Sequence, residues 1–158
     1  MKDNSLPQIY ADSHGLKHAE LTGKLIGIFY SVYNELGHGF LESVYEQAMS
    51  IALAENGLFF QRQIAIPVWF HQQQVGEFRA DLLVNEQIIL ELKTGRDIDM
   101  AWEKQVLNYL RATQIEVALL LNFGPQAQFK RYVFENGRKI PRKSAKSAEK
   151  KLINSNQF

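Results

Sequence analysis

Two apolar segments, Arg79-Ala80-Asp81-Leu82-Leu83-Val84 and Ile88-Ile89-Leu90-Glu91-Leu92-Lys93, stand three residues apart and read as the strands of one hairpin. Residues two apart on a strand share a face. Glu91 and Lys93 therefore project to one side, and Ile88, Leu90 and Leu92 to the other. The second segment holds almost nothing polar besides that pair, the pattern of an interior strand covered on both faces. A carboxylate and an ammonium in such a place are costly unless each finds a partner or a metal. That cost is the first sign of a site.

The hairpin register decides whether Asp81 joins it. A two-residue turn at Asn85-Glu86 pairs Val84 with Gln87 and leaves Asp81 and Glu91 on opposite faces. A three-residue connection over 85–87 pairs Val84 with Ile88 and sets Asp81 opposite Glu91. Asn85-Glu86 lacks the Asn-Gly or Asp-Gly signature of a tight hairpin turn, so the longer connection is expected. Two hard oxygen ligands side by side suit Mg²⁺ or Mn²⁺, with Lys93 near enough to contact an anion or a water.

Asp81, nine residues and then Glu91-x-Lys93 resemble the metal-binding core of the PD-(D/E)XK nuclease superfamily. Upstream, Gly39-Phe40-Leu41-Glu42-Ser43-Val44-Tyr45 resembles the signature of the GxxExxY protein family, a bacterial and archaeal branch of that superfamily. Downstream, Gln105-Val106-Leu107-Asn108-Tyr109 resembles the QxxxY helix motif of nucleases related to RecB. The resemblance spans 21–135. His38 stands where the family commonly has proline, and Tyr33 where it commonly has histidine.

The resemblance implies an αβββαβ core and metal-dependent hydrolysis of phosphodiester bonds, with DNA the expected substrate. It implies that Asp81, Glu91 and the Leu92 backbone carbonyl hold Mg²⁺ or Mn²⁺, with Glu42 ligating directly or through water. Lys93 would orient the attacking water or steady the scissile phosphate, and Gln105 and Tyr109 would position backbone or water. Arg79 alternates onto the Asp81 face and is a further phosphate contact. The residues alone also permit plainer roles. Glu42 in a first helical turn complements the helix dipole. Tyr45 can pack in the core, Gln105 and Tyr109 can be boundary residues of a helix, and the charged hairpin can be a buried structural ion pair. A non-catalytic nucleic-acid- or protein-binding module that retains the nuclease fold is the alternative function.

The rest of the chain fits one α/β domain. With 158 residues it is long enough for a proper core. It has no cysteine, which excludes a disulfide framework and a thiolate zinc site. No apolar run approaches a membrane span, so a cytoplasmic protein without membrane contact is expected. Charge is uneven: 137–158 holds seven basic residues against Glu149 and carries +6, so a total of +1 leaves −5 on 1–136. The bulk domain is therefore not a generic basic nucleic-acid binder. A protein partner or homo-oligomer stays open.

Apolar residues at helical spacing predict helices over 20–36 and 41–56, with Gly37 and Gly57 as their stops. Strands follow over 58–70 and 75–84, where Pro67 marks an edge strand or a bulge, and then the charged hairpin. A helix over 100–112 is capped by Asp97 or Asp99; Trp102, Val106, Leu110 and Thr113 form its expected buried stripe, with Gln105 and Tyr109 on the flank. Strands over 117–121 and 129–135 complete a mixed sheet flanked by helices. The expected organisation is a polar arm over 1–18, the nuclease-like domain over 19–136 and a basic tail over 137–158. His14 and His18 are four apart but read as surface residues.

Overall fold

The structure is a computed structural model that describes residues 16–139. Residues 1–15 and 140–158, which include His14 and most of the expected arm and tail, lie outside the described residues. Two helices come first, α1 (Ala19–Leu36) and α2 (Glu42–Glu55), followed by β1 (Phe60–Phe70), β2 (Gln73–Val84) and β3 (Ile88–Lys93). Helix α3 (Met100–Ala112) then leads to β4 (Val117–Phe123) and β5 (Ala127–Val133). The five strands lie in sequence order in one sheet. All neighbours are antiparallel except β3 and β4, which run parallel across the α3 crossover.

Each sheet face carries its own core. Leu25, Ile28, Phe29 and Val32 of α1 and Tyr45, Met49 and Leu53 of α2 recur at helical spacing. They meet Ile88, Leu90 and Leu92 of β3 and Leu119, Leu121 and Phe123 of β4. On the other face, Val106, Tyr109 and Leu110 of α3 cover Ile89, Ala118 and Leu120. Strands β3 and β4 are buried along nearly their whole length, as an interior parallel pair requires. Asp99 caps α3, its side chain accepting from the Ala101 N–H at 2.6 Å.

Strand β1 is both an edge strand and bulged, with the register shift at Val68/Trp69 beside Pro67. The β1–β2 hairpin also changes sides along its length. Phe60, Leu82 and Val84 pack toward α1 and α2, whereas Ile64, Ile66, Phe78 and Ala80 pack toward α3. The change falls at Gln63 and Asp81, which sit between the ladder pairs Arg62–Leu82 and Ile64–Ala80. Gln63 adopts a left-handed φ of 50° there, a conformation uncommon for a residue with a side chain.

Near both ends of the described residues, polar side chains bond to the sheet and to α3. Lys17 pairs with Glu116 at 2.9 Å, and the Arg131 guanidinium donates to the Lys17 carbonyl at 2.7 Å. The Lys139 ammonium donates to the Thr113 and Ile115 carbonyls just past α3, where a cation also suits the helix dipole.

Candidate active site

The β2–β3 connection is the expected three-residue one, over 85–87, and it gives the expected register. Asn85 and Glu86 both take left-handed conformations, at φ 50° and 56°, and the Gln87 N–H closes the turn on the Val84 carbonyl at 2.9 Å. The three-residue connection thus runs through left-handed backbone without the glycine that such conformations favour. Gln87 is its third residue, so the ladder pairs Val84 with Ile88, Leu83 with Ile89 and Leu82 with Leu90. Asn85 tolerates the left-handed region, and its side chain accepts from the Phe59 N–H at 3.0 Å. Asp81 and Glu91 come next along the chain beyond that ladder, near enough for the Asp81 charge to act on Glu91.

The Asp81 carboxylate accepts a hydrogen bond from the Leu92 N–H at 2.8 Å. Burial raises the Asp81 pKa despite that bond, and the charges of Glu46 and Glu42 raise it further. Glu91 is 3% exposed. Burial first, and then the charge of Asp81, push it up to about 7. Lys93 opposes that shift from 3.3 Å, at the Glu91 Oε1 oxygen. The other oxygen, Oε2, is buried and takes no hydrogen bond of good geometry, although the Asp81 N–H and the Tyr109 hydroxyl lie close enough to act on the carboxyl. A buried carboxylate with an unmet oxygen beside a second carboxylate is an arrangement that a divalent cation satisfies. The two side chains therefore fit a metal ion, with Lys93 at the rim. The Lys93 ammonium also lies over the Trp102 ring, 5.8 Å from its centroid.

Helix α3 adds a hydroxyl. Tyr109 lies in the core rather than on the flank expected for it, because α3 turns it under β2, where its hydroxyl donates to the Arg79 carbonyl at 2.9 Å. The Gln105 amide donates to the same hydroxyl at 2.5 Å. Burial and then the Glu91 charge raise the Tyr109 pKa, so its hydroxyl keeps its proton.

Arg79 itself is exposed, its guanidinium 3.4 Å from Glu77 and 3.3 Å from the Gln63 carbonyl. The change of sides at Asp81 interrupts the alternation that would set the two side chains together.

Glu42 opens α2 and is exposed. Among the described residues no three histidine, aspartate or glutamate side chains gather closely enough to hold a metal. The buried carboxylate of α2 is instead Glu46, one turn on, which sequence reasoning missed. It accepts from Arg62 Nε at 3.0 Å and from the Gln63 amide at 2.8 Å. The same Gln63 amide lies 3.4 Å from Asp81 Oδ1 and so links the two acids. Helical spacing from Glu42 was the available signal.

Tyr45 both packs and bonds. Its ring stacks on Phe123 at 4.2 Å, and its hydroxyl donates to the Gly37 carbonyl at 2.6 Å while accepting from the Phe40 N–H. It thus ties down the entry to α2, where Gly39 takes a φ of 108° open only to glycine. Asn122 does the same for the loop after Lys93. Its side chain accepts from the Gly95 N–H and donates to the Gly95 carbonyl, both at 2.9 Å. Asn122 pairs with Lys93 in the β3–β4 ladder, so a lone polar residue ending an apolar strand was the signal for it.

No curated protein is significantly similar in sequence. Among solved structures, the crystal structure of SSO0001 aligns with a TM-score of 0.48 at 17% identity, over 73% of this chain and 59% of that one. The chain thus spans about three-fifths of that protein's length. An alkaline exonuclease, LHK-Exo from Laribacter hongkongensis, aligns with a TM-score of 0.44 at 14% identity, over 88% of this chain and 78% of that one. The sequence model of the PD-(D/E)XK nuclease superfamily matches residues 19–132, from the first residue of α1 to the next-to-last residue of β5, and the chain belongs to that superfamily.

Proposed function

We propose that the protein is a Mg²⁺- or Mn²⁺-dependent nuclease that hydrolyses phosphodiester bonds in DNA, within the GxxExxY branch of its superfamily. Asp81 and Glu91 would hold the ion. The Leu92 carbonyl would assist, since a strand residue's N–H and C=O face the same neighbour and the Leu92 N–H faces Asp81. Glu42 would complete the set directly or through water. When bound, such an ion supplies a water acidified enough to attack and a counter-charge for the phosphate.

The chain's own residues do the rest. The Leu92 N–H fixes the rotamer of Asp81. Lys93, held by Glu91 and the face of Trp102, presents its ammonium to a phosphate oxygen or the attacking water. Gln105 keeps the Tyr109 hydroxyl in place beneath β2, and Arg79 adds a second cation for the phosphate chain.

The observation that carries the reading is Glu91 Oε2: a buried ion pair complete in itself would satisfy both carboxylate oxygens, and Lys93 meets only Oε1. The test is cleavage of labelled single-stranded, duplex and branched DNA, and of RNA, with Mg²⁺, Mn²⁺ or chelator. Metal-dependent cutting of DNA that Asp81→Ala abolishes is expected. Equal cutting by that variant, or none with any metal, would favour the non-catalytic binding module.

A further inference from the structure

A cleft of about 660 Å³ opens at the C-terminal ends of β3 and β4, the end at which open α/β sheets take ligands. Its walls are three loops: 38–40 ahead of α2, 94–96 directly after Lys93, and 123–125 after β4. These walls are fixed. The Tyr45 hydroxyl holds the first loop, and Asn122 holds the second. A Cβ on Gly95 would collide with the Trp102 ring, and one on Gly124 with the Gly95 carbonyl oxygen.

Two side chains give the cleft its chemistry. Phe40 is 48% exposed, although its backbone is pinned and its ring edge meets Tyr45. Arg96 is exposed and makes no hydrogen bond or ion pair with any described residue. It stands three residues past Lys93, at most about 10 Å along the chain.

We propose that this cleft binds one unpaired nucleotide next to the scissile phosphate, its base on Phe40 and its phosphate on Arg96. The inference rests on the nuclease reading. An aromatic ring stacks only on a base whose face is free, and such stacking is indifferent to sequence. Duplex binding without base contacts depends on many cations tracking two backbones. Residues 1–136 carry a net charge of −5, and the cleft offers the exposed Phe40 ring, the exposed His38 imidazole and one arginine, with Phe123 buried in its floor. That combination fits a single strand.

The test uses the full chain carrying Asp81→Asn, so that the probe stays intact, and fluorescence anisotropy of a labelled oligothymidine and a labelled blunt duplex. Phe40→Ala should weaken single-strand binding roughly 5- to 100-fold, matching the loss of one stacked base, and leave duplex binding within about two-fold. Phe40→Trp should restore it, and Arg96→Gln should weaken it with a shallower salt dependence. Single-strand binding unchanged in both Phe40→Ala and Arg96→Gln would overturn the inference. So would equal losses on single strand and duplex. Arg96→Gln carries the test if Phe40→Ala fails to fold. A parent that cuts DNA while these variants bind as it does removes the cleft and leaves the nuclease reading. Phe40-dependent binding by a parent that cuts nothing does the reverse.

Discussion

The Asp81 carboxylate takes its hydrogen bond from the backbone of Leu92, not from another side chain, at 2.8 Å. That bond crosses from β2 to β3 beyond the end of their ladder, one residue before Lys93. It stitches the hairpin together at the point where β1 and β2 change sides, with the Asp81 carboxylate held beside the strand that carries Glu91.

Asp81→Asn separates that stitch from the charge. The amide oxygen can still accept from Leu92, so the fold should persist, with Tm within about 3 °C of the parent. Metal affinity should fall at least about ten-fold, because a hard cation prefers a carboxylate. Thermal melts and Mn²⁺ titration of the same preparation check both halves.

Glu91 gives stability a pH dependence of known sign. Its folded pKa of about 7 lies above its ordinary 4.5, so between those values the folded state holds more protons than the unfolded. In chelator, stability should fall as pH rises from about 4.5 to 7 and then level off. Glu91→Gln should remove that slope and melt roughly 2–6 °C higher than the parent at pH 8. The difference between the two melting curves across pH 5 to 8 isolates the term from all other groups.

Tyr45→Phe keeps the ring against Phe123 but removes the hydroxyl that ties Gly37 and Phe40. The expected cost is about 1–2 kcal/mol, measurable by urea unfolding, with little change in the denaturant slope. A motif tyrosine acting in the chemistry would instead lose activity without losing stability.

Asn122→Ala leaves both the N–H and the carbonyl of Gly95 without their partner. A loss of about 2–4 kcal/mol is expected. Gly124→Ala should cost at least as much, since its Cβ would collide with the Gly95 carbonyl oxygen. Both should weaken single-strand binding in the adjoining cleft more than they weaken Mn²⁺ binding.

Which parts of this were legible in the sequence follows from how local their causes are. Helix α3 and its Asp99 cap, the interior placement of β3 and the edge placement of β1 all rest on periodicity or on one residue's chemistry, and each was readable. The register was readable from the alternation of 79–84 against 88–93, although Asn85 and Glu86 reach it through left-handed backbone that glycine usually supplies. The change of sides at Gln63 and Asp81 was not readable. Nothing in a glutamine announces a positive φ, and the residues on either side of the bend belong to two different cores that only the folded sheet defines. Tyr109 was misplaced for a related reason: helical spacing sets it beside Gln105, but only the bent hairpin gives its hydroxyl a buried acceptor at Arg79. Glu46 was hidden by the stronger motif residue one turn before it.

The central claim, that Glu91 holds a cation while Lys93 acts on the phosphate or the water, is tested most directly by calorimetric Mn²⁺ binding on Lys93→Ala and Glu91→Ala, with cleavage of a labelled DNA by the same samples. Removing the ammonium 3.3 Å from Glu91 relieves repulsion with the ion, so Lys93→Ala should bind Mn²⁺ as tightly as the parent or more tightly, yet cut about 100-fold slower or worse. Glu91→Ala should do neither. Loss of Mn²⁺ binding in Lys93→Ala, or cutting at the parent rate by both variants, would contradict the account.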